Sequence, residues 1–294
     1  METPSNDSLR NRRSKKLLFF WLLLGSNLVL AQRNVDEPKL LITNHTLLGW
    51  SQVEFLDTYL SGIRYRGNAF QLSNIGRRIW SPHTQNWFLR SDFDARFGLA
   101  KNIPATASMT YAAANLGLGF QYQVKVVEHV KLLVGSTWDA DFGMRYSSRD
   151  VNNYLNVDLS TNLNLVASLR YDFRLNAYPL KLLVDLKTPV VGLMCVPERG
   201  ASYYEIFTFE GVDDLMEVSS LHSKNGLNAQ VLLQIPMRNL QLDVGFQYEY
   251  LRYESNNVYV GRNGLNLQLG LSYDFSLFGG RKNKAVSNML GTEW

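Results

Sequence analysis

A chain of 294 residues, 46% hydrophobic and 19% charged, has room for one large domain or two small ones. Its formal charge of +4 sits at the front. Arg10, Arg12, Arg13, Lys15 and Lys16 stand against Glu2 and Asp7, and without residues 1–31 the charge falls to about +1. No basic patch remains to suggest a nucleic-acid partner, and a single cysteine, Cys195, excludes an internal disulfide.

The five basic residues precede an unbroken apolar run, Leu17 to Leu24, and Val29-Leu30-Ala31 follows it. That is the layout of a secretory signal peptide, 1–31, cleaved near Ala31-Gln32. The run is shorter than the roughly 20 residues of a spanning helix. The regular pattern of the rest begins near residue 55, so residues 32–54 are expected to form an N-terminal periplasmic segment.

From there apolar residues recur at every second position. Leu155, Val157, Leu159, Thr161, Leu163 and Leu165 alternate with Asn156, Asp158, Ser160, Asn162 and Asn164. Successive side chains of a strand point to opposite faces, so one face is apolar and the other polar. The alternations outrun the 5–6 residues usual for soluble strands. They exceed the roughly 9–11 that a tilted strand needs to cross hydrocarbon. The pattern predicts an all-β, antiparallel, up-and-down transmembrane β-barrel over 55–278, followed by a periplasmic tail, 279–294.

Ten strands are expected, near 55–66, 69–79, 86–98, 106–124, 129–147, 153–176, 179–193, 226–235, 239–253 and 263–277. Eight result if the first pair is discounted, and twelve if Tyr203–Phe209 and Leu215–Leu221 form a hairpin. An even count is the firmer expectation. Short connections at 128–129, 176–179 and 236–239 alternate with longer ones at 147–152, 194–225 and 254–262. Short periplasmic turns and long outside loops have that asymmetry. Aromatic residues gather at the inner level: Trp87, Phe120, Tyr122, Tyr171, Phe173, Tyr273 and Phe275. Such residues favour a membrane–water interface, so they are expected to form a girdle.

The signal peptide, the Tyr-Asp-Phe strand ends and the closing segment Gly264 to Phe275 together resemble a domain-of-unknown-function family. Its members are small outer-membrane barrels of Bacteroides-type, Gram-negative bacteria. The resemblance implies a fold and an outer-membrane location, and it carries no catalytic residues. Barrels of this kind often end at an aromatic that the barrel assembly machinery reads. Phe275 and Phe278 fit that role, although Gly279 to Trp294 follow them.

The polar faces carry Arg90, Asp92, Asp94, Arg96, Asp139, Asp141, Arg145, Asp158, Arg170, Asp172 and Arg174, with Asp185, Lys187, Asp243, Glu249 and Asp274. They are expected to form a paired lumen network that fills or narrows the barrel. A hydrolase reading would use Asp139 and Asp141 with a histidine base. His45 is expected before the barrel, His83 and His129 at turns and His222 in the long loop, none beside those acids. No metal or cofactor motif occurs. The loop 194–226 is acidic and carries Tyr203, Tyr204, Phe207 and Phe209, so it is the candidate for folding over the mouth or meeting an outside partner. The remaining partners expected are outer-membrane lipid and lipopolysaccharide. The reading is a non-enzymatic barrel with a structural or partner-binding role. The alternatives are a narrow porin-like channel and, less favoured, an outer-membrane hydrolase.

Overall fold

Long alternating segments satisfy their backbone N–H and C=O groups only by pairing sideways, and only closure removes the unpaired edges. The computed structural model describes residues 39–40, 42–81, 84–127, 129–148, 154–176, 178–205, 215–237, 240–275 and 289–290. Its strands are β1 (Ile42–Asp57), β2 (Ser61–Ser81), β3 (Thr84–Asn102), β4 (Ser108–Val127), β5 (Val130–Ser147), β6 (Leu155–Leu175) and β7 (Tyr178–Cys195). A short β8 (Met216–Ser220) precedes β9 (Lys224–Pro236), β10 (Gln241–Ser255) and β11 (Val258–Phe275).

Each long strand pairs antiparallel with the next, and β7 reaches β9 from Lys181↔Gln234 to Lys187↔Asn228. The last strand returns to the first, with β11 on β1 from Val260↔Asp57 to Phe275↔Ile42. Ten long strands thus close an all-β, antiparallel, up-and-down barrel, with β8 as a short addition on the upper edge of β7. Beside it, Lys39–Leu40 pairs in parallel with Met289–Leu290. Among the described residues no helix is long and apolar enough to cross a membrane, which says nothing of strands. The signal segment and all of the tail except Met289 and Leu290 lie outside the described residues.

The count of ten holds, but its first member is corrected. The barrel begins at Ile42 rather than 55, so residues 42–54 belong to a strand and not to a periplasmic segment. The expected strand 55–66 is the end of β1, the turn Thr58-Tyr59-Leu60 and the start of β2. The connection expected between the strands 55–66 and 69–79 is absent, since Asn68 and Ala69 lie inside β2 opposite Gln52 and Ser51. The link expected at 254–262 is also corrected. It is a two-residue hairpin in which Asn256 and Asn257 both have positive φ, 50° and 59°. Paired left-handed residues match the twist of two antiparallel strands.

Side chains partition by parity. Outward positions include Leu116, Leu118, Trp138, Leu165, Leu267 and Leu269, all exposed. Inward positions are mostly polar and buried, among them Arg77, Arg90, Gln121, Asp139, Arg145 and Asp243. That arrangement inverts a soluble core.

Two inward apolar tiers interrupt the polar lumen. Leu47, Ile79, Phe88, Leu133, Leu183 and Leu232 cluster toward the end that holds both barrel termini. At the opposite end Phe55, Tyr59, Leu60, Tyr65, Met109, Tyr111, Met194, Val196 and Val258 form a second cluster.

Candidate functional site

Between the apolar tiers lies a stack of charge clusters, because neighbouring strands bring alternate polar positions to one level. In the lower cluster Arg77, Arg90 and Lys187 face Asp92, Asp139 and Asp185. Asp185 is shared: Arg90 Nη1 donates to it at 2.7 Å, Arg77 Nη2 donates to it, and Ser168 Oγ donates at 2.8 Å. Arg90 Nε reaches Asp92 at 2.8 Å, while Lys187 joins Asp92 at 3.1 Å and Asp139. Gln121 accepts from Arg77 Nε at 3.4 Å and donates to Ser168 Oγ at 3.0 Å. A charge buried this deeply persists only when paired and hydrogen-bonded.

Higher in the lumen, Glu249 holds both Arg96 and Arg262, and Arg96 Nε also meets Asp94 at 2.6 Å. Arg262 also donates to the Tyr111 hydroxyl. Under the outer apolar cap, Arg145 Nε donates to Asp57 Oδ2 at 2.6 Å and its Nη atoms clasp Asp158, to which Tyr253 also donates.

Of the expected network, Arg90, Asp92, Asp94, Arg96, Asp139, Asp141, Arg145 and Asp158 lie in these clusters or beside them. Arg170 and Asp172 are placed apart, as a pair of their own at 2.7 Å near the lower end. Arg174 is exposed beyond them. The side chain of Asp274 lies outside the described residues. Sequence reasoning missed Asp57, Arg77, Arg262 and the Gln71–Gln247–Gln268 set.

His45 is a further correction. It does not precede the barrel but points into it from β1, buried, with Nδ1 3.1 Å from Asp243 Oδ2. Ser272 donates to the same carboxylate, and Gln234 reaches its other oxygen at 3.2 Å. A serine hydrolase needs the imidazole between hydroxyl and acid. Here the acid stands between them.

Asp139 and Asp141 accept from Asn115 Nδ2 at 3.0 and 2.6 Å, and Asp141 also from Asn162 at 2.7 Å. Described His129 and His222 are exposed at turns, and His83 lies outside the described residues. Among the described residues no cluster of His, Cys, Asp and Glu is arranged to hold a metal.

The aromatic residues mark the lower rim. Trp87 stacks edge-on with Tyr122 at 5.2 Å, Trp80 with Phe120 at 4.9 Å, and Tyr171 lies parallel to Phe173 at 5.5 Å. Tyr273 is outward on β11, and the Phe275 side chain lies outside the described residues. Trp80 and Tyr178 extend the set beyond the residues expected from sequence.

The long outer connection folds back onto the mouth. Tyr203 accepts from the Val157 amide at 2.8 Å and donates to Asn156 Oδ1 at 3.0 Å. Its ring meets Tyr59 at 5.9 Å, and the Tyr59 hydroxyl donates to Ala201 O at 2.9 Å. Burial pushes the Tyr203 hydroxyl up to about 12, so it stays protonated and able to donate. Tyr204, its neighbour, is exposed, and Phe207 and Phe209 lie outside the described residues.

Comparison with curated proteins finds no match. Solved structures with a related course include the outer membrane protease OmpT of Escherichia coli, at 9% identity and TM-score 0.43, covering 82% of this chain and 97% of that one. The translocator domain of the autotransporter NalP of Neisseria meningitidis gives 9% identity and TM-score 0.38, over 90% and 98%. The attachment invasion locus protein Ail of Yersinia pestis gives 14% and 0.29, over 81% and 99%. These likenesses say nothing of chemistry. Residues 16–282 match the family described as protein of unknown function, DUF3316, and the chain belongs to that family.

Proposed function

We propose that this chain is an outer-membrane β-barrel with a shut lumen, non-enzymatic, working through its outside loops in a structural or partner-binding role. The observation that carries the reading is the inverted partition of side chains. A belt of exposed Leu, Val, Phe and Trp surrounds the barrel while arginines and carboxylates fill it. In water such a belt far exceeds the apolar patches a soluble monomer exposes. In hydrocarbon it is the outer surface that a strand-built spanning protein requires. The aromatic rim at the level of the short turns supports the same placement.

The filling of the lumen argues against the channel reading. Paired charges occupy the middle, and apolar tiers stand above and below them. Tyr203 and Tyr59 hold the loop base over the outer tier and leave Tyr204 exposed for an outside partner.

Fractionation followed by gel mobility with and without heating tests the placement. The protein is expected in the outer membrane and to run faster unheated. Planar bilayers test the seal. Confirmed insertion with a flat current trace is expected, and reproducible unitary steps would overturn the shut lumen.

A further inference from the structure

Among the described residues the barrel wall has one broken seam. Below it, β7 and β9 pair continuously up to Lys187↔Asn228. Above it, β7 pairs instead with β8, from Val191↔Ser220 to Cys195↔Met216. Residues 188–190 on one side and 221–227 on the other have no ladder between them, and Lys224 to Leu227 pair only with β10. The break has local causes. The register slips between Leu163↔Val191 and Asn164↔Pro189, which leaves Val190 as a bulge. Pro189 brings no N–H to the ladder.

A side-chain hydrogen bond and a ring contact bridge the seam. Thr188 Oγ1 donates to Gly226 O at 2.8 Å, and the Pro189 ring lies against Gly226 so closely that a Cβ there would stand 3.2 Å from its Cγ and Cδ. Directly behind is a lumen cavity of about 160 Å³, lined by Pro189, Gly226, Asp141, Asn162 and Lys224 among others. That volume holds several waters or a small polar headgroup.

Lys224 differs from the other lumen cations. Its Nζ donates to two neutral oxygens, Ser160 Oγ at 2.8 Å and Asn162 Oδ1 at 3.2 Å. Its nearest carboxylate, Asp141, is 3.9 Å away, whereas Arg90, Arg96, Arg145, Lys187 and Arg262 each meet one directly. The Lys224 side chain is only 7% exposed.

We propose that this seam is a lateral portal and the cavity behind it a binding site for a single-chain amphiphile with a monoanionic carboxylate head. The head sits against Lys224, and the chain passes between Pro189 and Gly226 into the surrounding lipid. Five carboxylates line the same cavity against four cations, so a head carrying a second negative charge would be repelled. The proposal rests on the membrane placement above.

The test uses the full-length protein, refolded in a non-ionic detergent or phospholipid vesicles, with hexadecanoate as probe and acetate as the chainless control. Folding of each variant is checked by heat-modifiable mobility. Hexadecanoate is expected to bind one to one and acetate not at all. Lys224→Met is expected to weaken binding at least tenfold by removing the counter-charge. Gly226→Leu is expected to weaken it similarly by plugging the portal while leaving Lys224 in place. Equal hexadecanoate binding by folded wild type and Lys224→Met would overturn the proposal, as would no saturable binding by the wild type. Acetate binding as well as hexadecanoate would overturn the lateral route. If Gly226→Leu does not fold, Lys224→Met alone decides. Failure to enter membranes at all would sink the placement instead, and fractionation reports that separately.

Discussion

Asp185 shows what the lumen chemistry demands of a single residue. Two buried guanidiniums, Arg77 and Arg90, converge on its carboxylate. Asp185→Asn keeps the shape and removes the charge between them. Breaking a buried pair by removing one partner costs about 3–5 kcal/mol, because the other charge is left uncompensated. The expected result is a loss of that size in urea unfolding from lipid vesicles, followed by tryptophan fluorescence. Asp172→Asn is the matched control. Its pair with Arg170 is partly exposed, and such pairs contribute about 0–1 kcal/mol. Equal losses from the two substitutions would show that the lower cluster is no more than a solvated pair.

All of that lower cluster except Arg77 was legible in the sequence. Arg90 and Asp92 lie two apart on one strand, so period two alone puts them on the same face. Arg77 was not legible, and neither were His45 and Asp57, because the polarity of the faces reverses at both ends of the first hairpin. Leu47, Val53, Phe55, Tyr65 and Ala69 are apolar and inward. Gln52 and Arg66 are polar and outward, and Arg64 and Arg66 bind Glu54 on the outside at 3.0 and 2.7 Å. An outward apolar stretch of only Leu48, Trp50, Phe70 and Leu72 was too short to reveal two strands of 16 and 21 residues.

At the scale of elements, the outer cap is the part most open to selective perturbation. Tyr203 supplies two of the hydrogen bonds that hold the loop base. Tyr203→Phe keeps the ring and strands the Val157 amide and Asn156. Each lost bond costs about 0.5–1.5 kcal/mol. Faster hydrogen exchange at the Val157 amide is expected, with β3 and β4 unaffected. Unchanged exchange would mean that the loop is not seated through this tyrosine.

The same residue gives the cap its pH dependence. A tyrosine pKa raised on folding stabilises the folded form fully below the unfolded value of 10 and loses that contribution as pH rises through about 12. The cap is therefore expected to be indifferent to pH across the physiological range and to loosen only in strong alkali. A difference absorbance titration of wild type against Tyr203→Phe checks this. A tyrosine titrating near 10 in that difference would contradict it.

Gly119 and Gly135 sit where a Cβ would fall about 2 Å from the backbone oxygen of the neighbouring strand. Close backbone approach of this kind is one of the few reasons for glycine inside a strand. Gly135→Val is expected to force β4 and β5 apart and to slow refolding into the heat-modifiable form. Wild-type refolding would show that the local fit is looser.

For the whole molecule, closure is the property on which every other depends, and β1 provides it. This strand lies between β11 and β2, and its removal would expose two unpaired edges within the apolar belt. In water an exposed edge is a site for aggregation. In hydrocarbon each unsatisfied backbone group costs several kcal/mol, which multiplied along β2 and β11 exceeds the 5–15 kcal/mol net stability of ordinary domains. A chain beginning at residue 55, the boundary that periodicity alone suggests, is therefore expected not to yield a heat-modifiable, membrane-inserted species. A chain beginning at Gln32 is expected to do so. Gel mobility and protease resistance after refolding into vesicles compare the two. A stable nine-strand product from the shorter chain would mean that β11 and β2 can close on each other. The first strand would then be an accessory and the fixed register between the two ends of the chain unnecessary.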